Sequence, residues 1–300
     1  MSTTPNKVRE VCNGQTRAVE GQVCEERSKI RRGFTLIEIV VVVAVIAILA
    51  MLLVPRLAFI RTMATYTNEA TSIQDVVQNM LVYHTTQAMW PDHFDSLLEA
   101  TAVGSPTGLY GANSATNGLE SNLSGVLAMT TLSANQKKSL VGLLGQVSNG
   151  STTLTVMDHS QSASPSSDSG VLERDINASG ADLSVAQVNC TAATYDSLPL
   201  PADPNAASAK VIYNSVFPNG KNANGDVIVA LGVGPACTAI GKTIITAPQA
   251  YMKDSSRYGR TIVLIRVNPN GVQASLAGGL APDGRTLNQC LGNYRVTAQR

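Results

Sequence analysis

Arg32-Gly33-Phe34-Thr35-Leu36-Ile37-Glu38 leads directly into sixteen residues, Ile39 to Val54, that carry no polar side chain. A helical span of a bilayer takes about 20 mostly apolar residues, so this stretch is long enough to cross one. Glu38 is out of place at its mouth. A carboxylate near a bilayer centre costs about 3 kcal/mol on insertion scales. Twelve of the sixteen residues are Val, Ile or Leu, and each offsets that cost by about 0.3–0.6 kcal/mol, so insertion still wins. The segment enters a membrane in spite of Glu38, and the carboxylate needs a reason to be there.

Basic Arg31-Arg32, then Gly33, then a hydrophobic residue, with a glutamate five positions after the glycine, resembles the prepilin signature of type IV pilins and type II secretion pseudopilins. In that family a membrane peptidase cuts after the glycine on the cytoplasmic side and methylates the new N-terminus. The resemblance implies cleavage between Gly33 and Phe34, N-methylation of Phe34, and pairing of Glu38 with the N-terminal amine of a neighbouring subunit during filament assembly. Two costly charges in an apolar medium neutralise each other in such a pair, which also fixes the axial register. Pro55 falls where the family usually has a proline, whereas Ala47 stands where many members carry a glycine. The close resemblance covers about residues 31–60.

Two plainer readings leave residues unexplained. A secretory signal peptide needs a small-residue cleavage pattern after the apolar run, and here the run ends Met51-Leu52-Leu53-Val54-Pro55-Arg56. An ordinary signal anchor accounts for the basic flank and the apolar run but for neither Gly33 nor Glu38.

Charge is distributed accordingly. Residues 1–33 carry seven Lys or Arg and four Glu, a net of +3, and the remaining 267 residues a net of −2. Basic residues gathered before the apolar helix keep the leader cytoplasmic and send the C-terminal bulk outward. No basic stripe survives beyond the leader, so there is no clear nucleic-acid site. Charged residues are 14% of the chain, against roughly 25% in a typical soluble domain. The leader is long for a chain with phenylalanine at the cleavage site; Val8, Val11, Val19 and Val23 are alternative initiators, and Cys12 and Cys24 would be lost on cleavage.

Beyond the apolar run, Leu57, Ile60, Ala64, Thr67, Thr71, Ile73, Val77, Met80, His84 and Ala88 recur mostly at three or four residues, with Val76 and Leu81 beside them. The spacing predicts that one helix continues to about Met89, roughly 84 Å if unbroken. Pro55 removes a helix hydrogen bond and should kink or loosen it. The first half should be membrane-embedded or filament core, and the second should pack on a globular head. Trp90–Leu98 resembles the pseudopilin segment that packs a small turn or helix back onto the main one. Residues 99–118 read as a loop, Leu119–Val147 as one or two short helices, and 160–170, with six serines, as an exposed connector. Lys210–Phe217, Asp226–Val233, Thr261–Val267 and Val272–Leu276 are short β-branched runs bounded by turn residues, with Asn268-Pro269-Asn270-Gly271 a hairpin turn and Gln289–Val296 an edge strand.

The expected fold is therefore α+β and pilin-like, a long N-terminal helix packed on a C-terminal antiparallel sheet with one face buried. The expected divisions are a leader at 1–33, the helix at 34–89 with 34–54 transmembrane, a loop-rich and short-helix region at 90–208, and the sheet with a C-terminal disulfide at 209–300.

Three cysteines, Cys190, Cys237 and Cys290, lie on the oxidising side, and the simple count is one disulfide and one free thiol. Pilins commonly close their C-terminal region with a disulfide that ends near the terminus, so the resemblance implies Cys237–Cys290, worth roughly 4 kcal/mol in the chain-entropy model. Cys190–Cys290 and an intermolecular bridge through Cys190 remain open.

No catalytic residue, metal site or cofactor is read from the sequence. His84, His93 and His159 are scattered, without metal-ligand spacing, and there is no nucleophile elbow or phosphate loop. Asp92-His93 and Asp158-His159 read as surface or capping pairs. Asn219–Asp226 has oxygen ligands but one carboxylate and a central Lys221, and reads as a tight turn rather than a calcium loop. The expectation is a structural, non-enzymatic subunit, a pilin or minor pilin of a type IV pilus-like filament (fimbrium). A pseudopilin of a type II secretion system and a filament-tip binding or adhesion module are the alternatives. Its partners would be a prepilin peptidase, other pilin subunits, an inner-membrane assembly platform and the lipid bilayer, with the head outside the bacterial cytoplasm.

Overall fold

The computed structural model describes residues 35–111, 118–148, 150–160, 170–179, 183–218, 225–248, 257–270 and 274–298. The leader with Gly33 and Phe34, most of the serine-rich connector, and residues 219–224 of the Asn/Gly turn lie outside the described residues. The chain divides into two units, Met1–Leu53 and Val54–Arg300.

Helix α1 runs Leu36–Gln87, through Pro55. In the first unit, from Ile39 on, it is apolar on all sides. In the second, its buried face is Ala70, Ile73, Val76, Met80 and Tyr83, a spacing of three or four that keeps one stripe inward. The expected stripe was rotated from this one: Ile73, Val76 and Met80 belong to it, but Leu57, Ile60, Thr67, Thr71 and Leu81 face out. Each large apolar side chain buried here stabilises by about 1.5–3 kcal/mol.

The strands are β1 (Phe94–Ala100), β2 (Pro106–Leu109), β3 (Leu127–Leu132), β4 (Gln146–Ser148), β5 (Ser151–His159), β6 (Val171–Asn177), β7 (Leu183–Val188), β8 (Val227–Gly232), β9 (Ile262–Val267) and β10 (Ala274–Leu280). The shorter helices are α2 (Ser121–Ser124), α3 (Ala134–Leu144), α4 (Ala209–Val216) and α5 (Leu287–Ala298). Among the described residues these strands form one ten-stranded sheet whose main path is β10-β9-β8-β1-β5-β4. β2 flanks β1, β6 flanks β5, and β7 bridges β3 to β8. β1 pairs with β5 in parallel and with β8 antiparallel, so the sheet is mixed rather than antiparallel throughout.

At its centre this sheet is covered on both faces. Along β8, Val229 and Leu231 join a cluster with Val76, Met80 and Tyr83 of α1 and Leu140, Val141 and Leu144 of α3. Ile228 and Ala230 join another with Ile212 and Tyr213 of α4 and Leu97 and Leu98 of β1. A strand buried on both sides reads as a continuous apolar run, and Val227-Ile228-Val229-Ala230-Leu231 is one. One buried face was expected; the second exists because α4 covers it.

Four local expectations are corrected. Lys210–Phe217 is helical: Ala209, Ile212 and Tyr213 are its buried residues, an i, i+3, i+4 face that a short apolar run conceals. Gln289–Val296 belongs to α5, not to an edge strand. Trp90–Leu98 leads into a strand, and β1 is central to the sheet. Residues 90–208, expected as loops and short helices, hold seven strands, including β2 within the expected loop at 99–118 and β3 within the expected helices at 119–147. Within that region α3 is a helix with a reciprocal cap between Ser133 and Gln136. β9 and β10 do pair antiparallel across the Asn268-Pro269-Asn270 turn, with Val267 opposite Ala274.

Candidate functional site

The apolar helix opens on a pair of polar side chains that close on each other. Thr35 is the last non-helical residue, and Glu38 is in the first turn. The Thr35 backbone N–H donates to Glu38 Oε2 at 3.0 Å, and the Thr35 hydroxyl donates to the same oxygen at 2.9 Å. The Glu38 N–H reaches the Thr35 hydroxyl at 3.3 Å. This reciprocal arrangement is a capping box, which satisfies amides that the first helical turn leaves without partners. Glu38 is thus held at the N-terminal end of the helix with both bonds on one carboxylate oxygen, and its side chain is exposed.

Below this cap every described residue from Leu36 to Val54 is exposed, Leu36 at 82% and Met51 at 81%. A continuous apolar surface of this extent marks a membrane or protein contact. The helix meets the length and hydropathy of a membrane span.

Residues 28–54 match the family described as the prokaryotic N-terminal methylation motif. The chain carries a prepilin-type motif. It is the hallmark of type IV pilins and pseudopilins, a class that is generally structural, processed by a prepilin peptidase and assembled with other pilin subunits. Comparison with curated proteins and with solved structures returns no match. The motif and the long apolar helix fit a membrane-anchored pilin, and the α+β layout is consistent with a pilin-like fold.

Of the other residues singled out in this prepilin-type sequence, Pro55 lies within α1, and the cysteines depart from expectation. Cys190, Cys237 and Cys290 are all free and buried. The expected Cys237–Cys290 disulfide is absent because the head places each thiol in a different apolar cluster: Cys237 with Val233 and Ala239, Cys190 with Val188 and Leu127, Cys290 with Ala70 and Ile73. Burial pushes the Cys237 and Cys290 thiols up to about 12.

The Asp158-His159 pair, expected at the surface or as a cap, is buried. Asp158 is fully buried and takes Arg174 through Nε at 2.6 Å and Nη2 at 2.9 Å, while Ser96 donates to it at 2.6 Å. His159 turns the other way, with Nε2 at 2.9 Å from both oxygens of buried Asp95. Its ring stacks on Tyr110 at 3.9 Å and meets Tyr258 edge-on at 6.1 Å. Burial first, then the Asp95 and Glu99 carboxylates, push the Tyr110 hydroxyl up to about 12.

These contacts occupy an irregularity in β1. Its register against β5 shifts between Asp95 and Glu99, and Leu97 has a φ of +60°, a conformation that costs a bulky residue about 1–3 kcal/mol. The Leu97 N–H is taken by Asp95 Oδ1 at 2.9 Å and the Leu98 N–H by Ser96 Oγ at 3.1 Å. The buried side chains replace ladder bonds that the shift breaks. The neighbouring hydroxyl of Ser96 is engaged by Asp158. Asp92 likewise works on the backbone, accepting from the Thr155 N–H at 2.9 Å. Asp226, at the end of the Asn/Gly turn, pairs with Arg266. No group of three or more metal-ligating side chains is found among the described residues.

Sequence reasoning missed two of these features. The Thr35–Glu38 cap was legible as Thr-x-x-Glu ahead of an apolar run. The Asp95–His159 pairing had no local signal, because its partners are 64 positions apart.

Proposed function

We propose that this protein is a structural subunit, a pilin or minor pilin, of a type IV pilus-like filament. Residues 1–33 are the leader. A prepilin peptidase removes it between Gly33 and Phe34 and methylates Phe34. Residues 34–54 then hold the subunit in the bacterial inner membrane as a single pass, with the head outside the cytoplasm, until an assembly platform extracts it into the filament. Residues 34–89 are the packing rod of the filament, and 90–300 are the head it displays.

The observation that carries this reading is the pairing of an apolar helix exposed from Leu36 to Val54 with one carboxylate, Glu38, fixed at its entrance. Lipid and neighbouring helices are equally apolar, so transfer between them supplies little selectivity. Selectivity has to come from Glu38 and the head. Glu38 Oε2 is engaged by Thr35, and the carboxylate is exposed to meet a neighbour's N-terminal amine.

The test is N-terminal mass spectrometry on protein from the membrane and from sheared filaments. The expected product begins at Phe34 with one added methyl group, and a bulky substitution at Gly33 should accumulate the uncut chain. An intact leader in assembled material would overturn the proposal.

A further inference from the structure

Where α1 meets the turn between β10 and α5, two carboxylates share one guanidinium in a largely dry site. Arg285 donates through Nη2 to Glu69 of α1 and through Nε to Asp283 at 2.6 Å. Its guanidinium lies 4.2 Å from the centre of the Tyr66 ring, and the Cys290 sulfur of α5 sits 3.9 Å from Glu69 Oε2. Among the described residues, Tyr66, Asp283, Arg285 and Cys290 are the titratable groups set around Glu69. With both carboxylates ionised the site holds one excess negative charge, and a single proton cancels it. Asp283 keeps 26% of its side chain in water and Glu69 only 5%, so Glu69 is where that proton is best held.

We propose that Glu69 and Arg285 form a proton-controlled clasp: protonation of Glu69 seats α5 and the preceding turn on α1, and its ionisation loosens them. The neighbouring seam is suited to such movement. A cavity of about 280 Å³ lies beside the clasp, lined by Ile73 and Val77 of α1, Gly278 of β10, and Thr286, Leu287 and Asn288, and no lining residue is charged. Among the described residues the apolar contact beside the clasp is Cys290, Ala281 and Leu287 against Ala70 and Ile73, so the clasp and this contact dock α5 together. Burial pushes the Glu69 carboxyl up to about 7; Arg285 pulls it down and Asp283 raises it. A carboxyl whose seated value lies above its solvated value of 4.5 favours the seated state fully below 4.5 and loses that advantage as pH rises to about 7. The clasp therefore opens across mildly acidic pH and changes no further above neutrality.

Hydrogen exchange of the full chain in detergent micelles, corrected for intrinsic rates, reads this opening in peptides covering 287–292 and 66–73, with peptides from β8 and β9 as the fold control. Protection in the two clasp peptides should fall about tenfold per pH unit between pH 5 and 6.5 and level off above 7. Glu69→Gln should remove the slope and keep high protection at every pH. Asp283→Asn, which removes the excess charge without touching Glu69, should reduce the slope and serves as an independent reading if Glu69→Gln folds poorly. A flat profile in the wild type, or a wild-type slope in either variant with β8 and β9 still protected, overturns the proposal.

Discussion

His159 Nε2 stands 2.9 Å from both carboxylate oxygens of Asp95, across the parallel pairing of β1 with β5. Because both side chains are buried, neither can be removed without leaving the other in a dry site. His159→Ala and Asp95→Asn should each destabilise the head by about 3–5 kcal/mol, and the double variant should be no worse than the more damaging single one. Burial pushes the Asp95 carboxyl up, but His159, the Leu97 N–H and Arg260 outweigh it and hold the group below its ordinary 3.8. A depressed carboxyl contributes stability above its unfolded value and loses it as pH falls through the folded one. Wild-type stability should therefore drop below about pH 4, and less so in Asp95→Asn. Urea unfolding followed through Trp90, which packs on His84 with ring centres 4.5 Å apart, measures both effects.

Gly232 is required by close approach and not by its backbone angles. A Cβ built there would lie 1.8 Å from the Tyr258 hydroxyl and 3.0 Å from the Asp95 Cβ. Gly232→Ala should displace Tyr258 and lower stability by about 1–3 kcal/mol, as overpacking does. In a Tyr258→Ala background the same substitution should cost much less than in the wild type. Additive effects of the two changes in a melting experiment would show that Tyr258 is not the obstacle.

The thiols make a third expectation. In folded protein from the membrane, Cys190, Cys237 and Cys290 should resist alkylation at pH 8, because each is buried and burial pushes each thiol up. On denaturation without reductant all three should react. Peptide mapping that recovers a Cys237–Cys290 bridge from exported protein would contradict the arrangement of the head.

Those three residues also show how far the sequence reaches. The membrane helix, its continuation and strands β8 and β9 were legible because local period and composition decide them. Ile212 and Tyr213 were misread because a short apolar run satisfies both a strand and a helix until a partner surface chooses. β1 was misread because its identity depends on Asp158, His159 and Arg174, polar residues that a local reading sends to the surface and that only long-range pairing allows inside. The cysteine pairing failed for a related reason: it came from family habit, whereas three separate apolar clusters had already taken the thiols. At the proposed assembly site the order is reversed. Glu38 stood out by its cost alone, and the structure adds Thr35 as the residue that holds it.

On the proposed function, Glu38 has two separable tasks, and substitutions at Glu38 and Thr35 divide them. As the third residue of the first turn it accepts the Thr35 N–H, which any acceptor of the same length would do. As a charge it can meet an amine, which only a carboxylate does well. Glu38→Gln keeps the first task and removes the second, while Glu38→Ala removes both. All variants should reach the membrane at wild-type levels, since the apolar run is unchanged and loss of the charge favours insertion. In sheared filaments Glu38→Gln should be depleted nearly as much as Glu38→Ala, by tenfold or more on the order of an ion pair's loss in an apolar medium. Thr35→Ser should assemble normally. Thr35→Val, which keeps the amide bond but loses the hydroxyl that fixes the rotamer, should fall about fivefold, in line with the roughly 1 kcal/mol of a helix cap. Recovery of filament yield by glutamine would reduce Glu38 to a cap and remove the charge from the assembly mechanism. Equal yields from every variant would instead assign the chain to a filament tip, where no subunit ahead presents an amine, or to a plain membrane anchor.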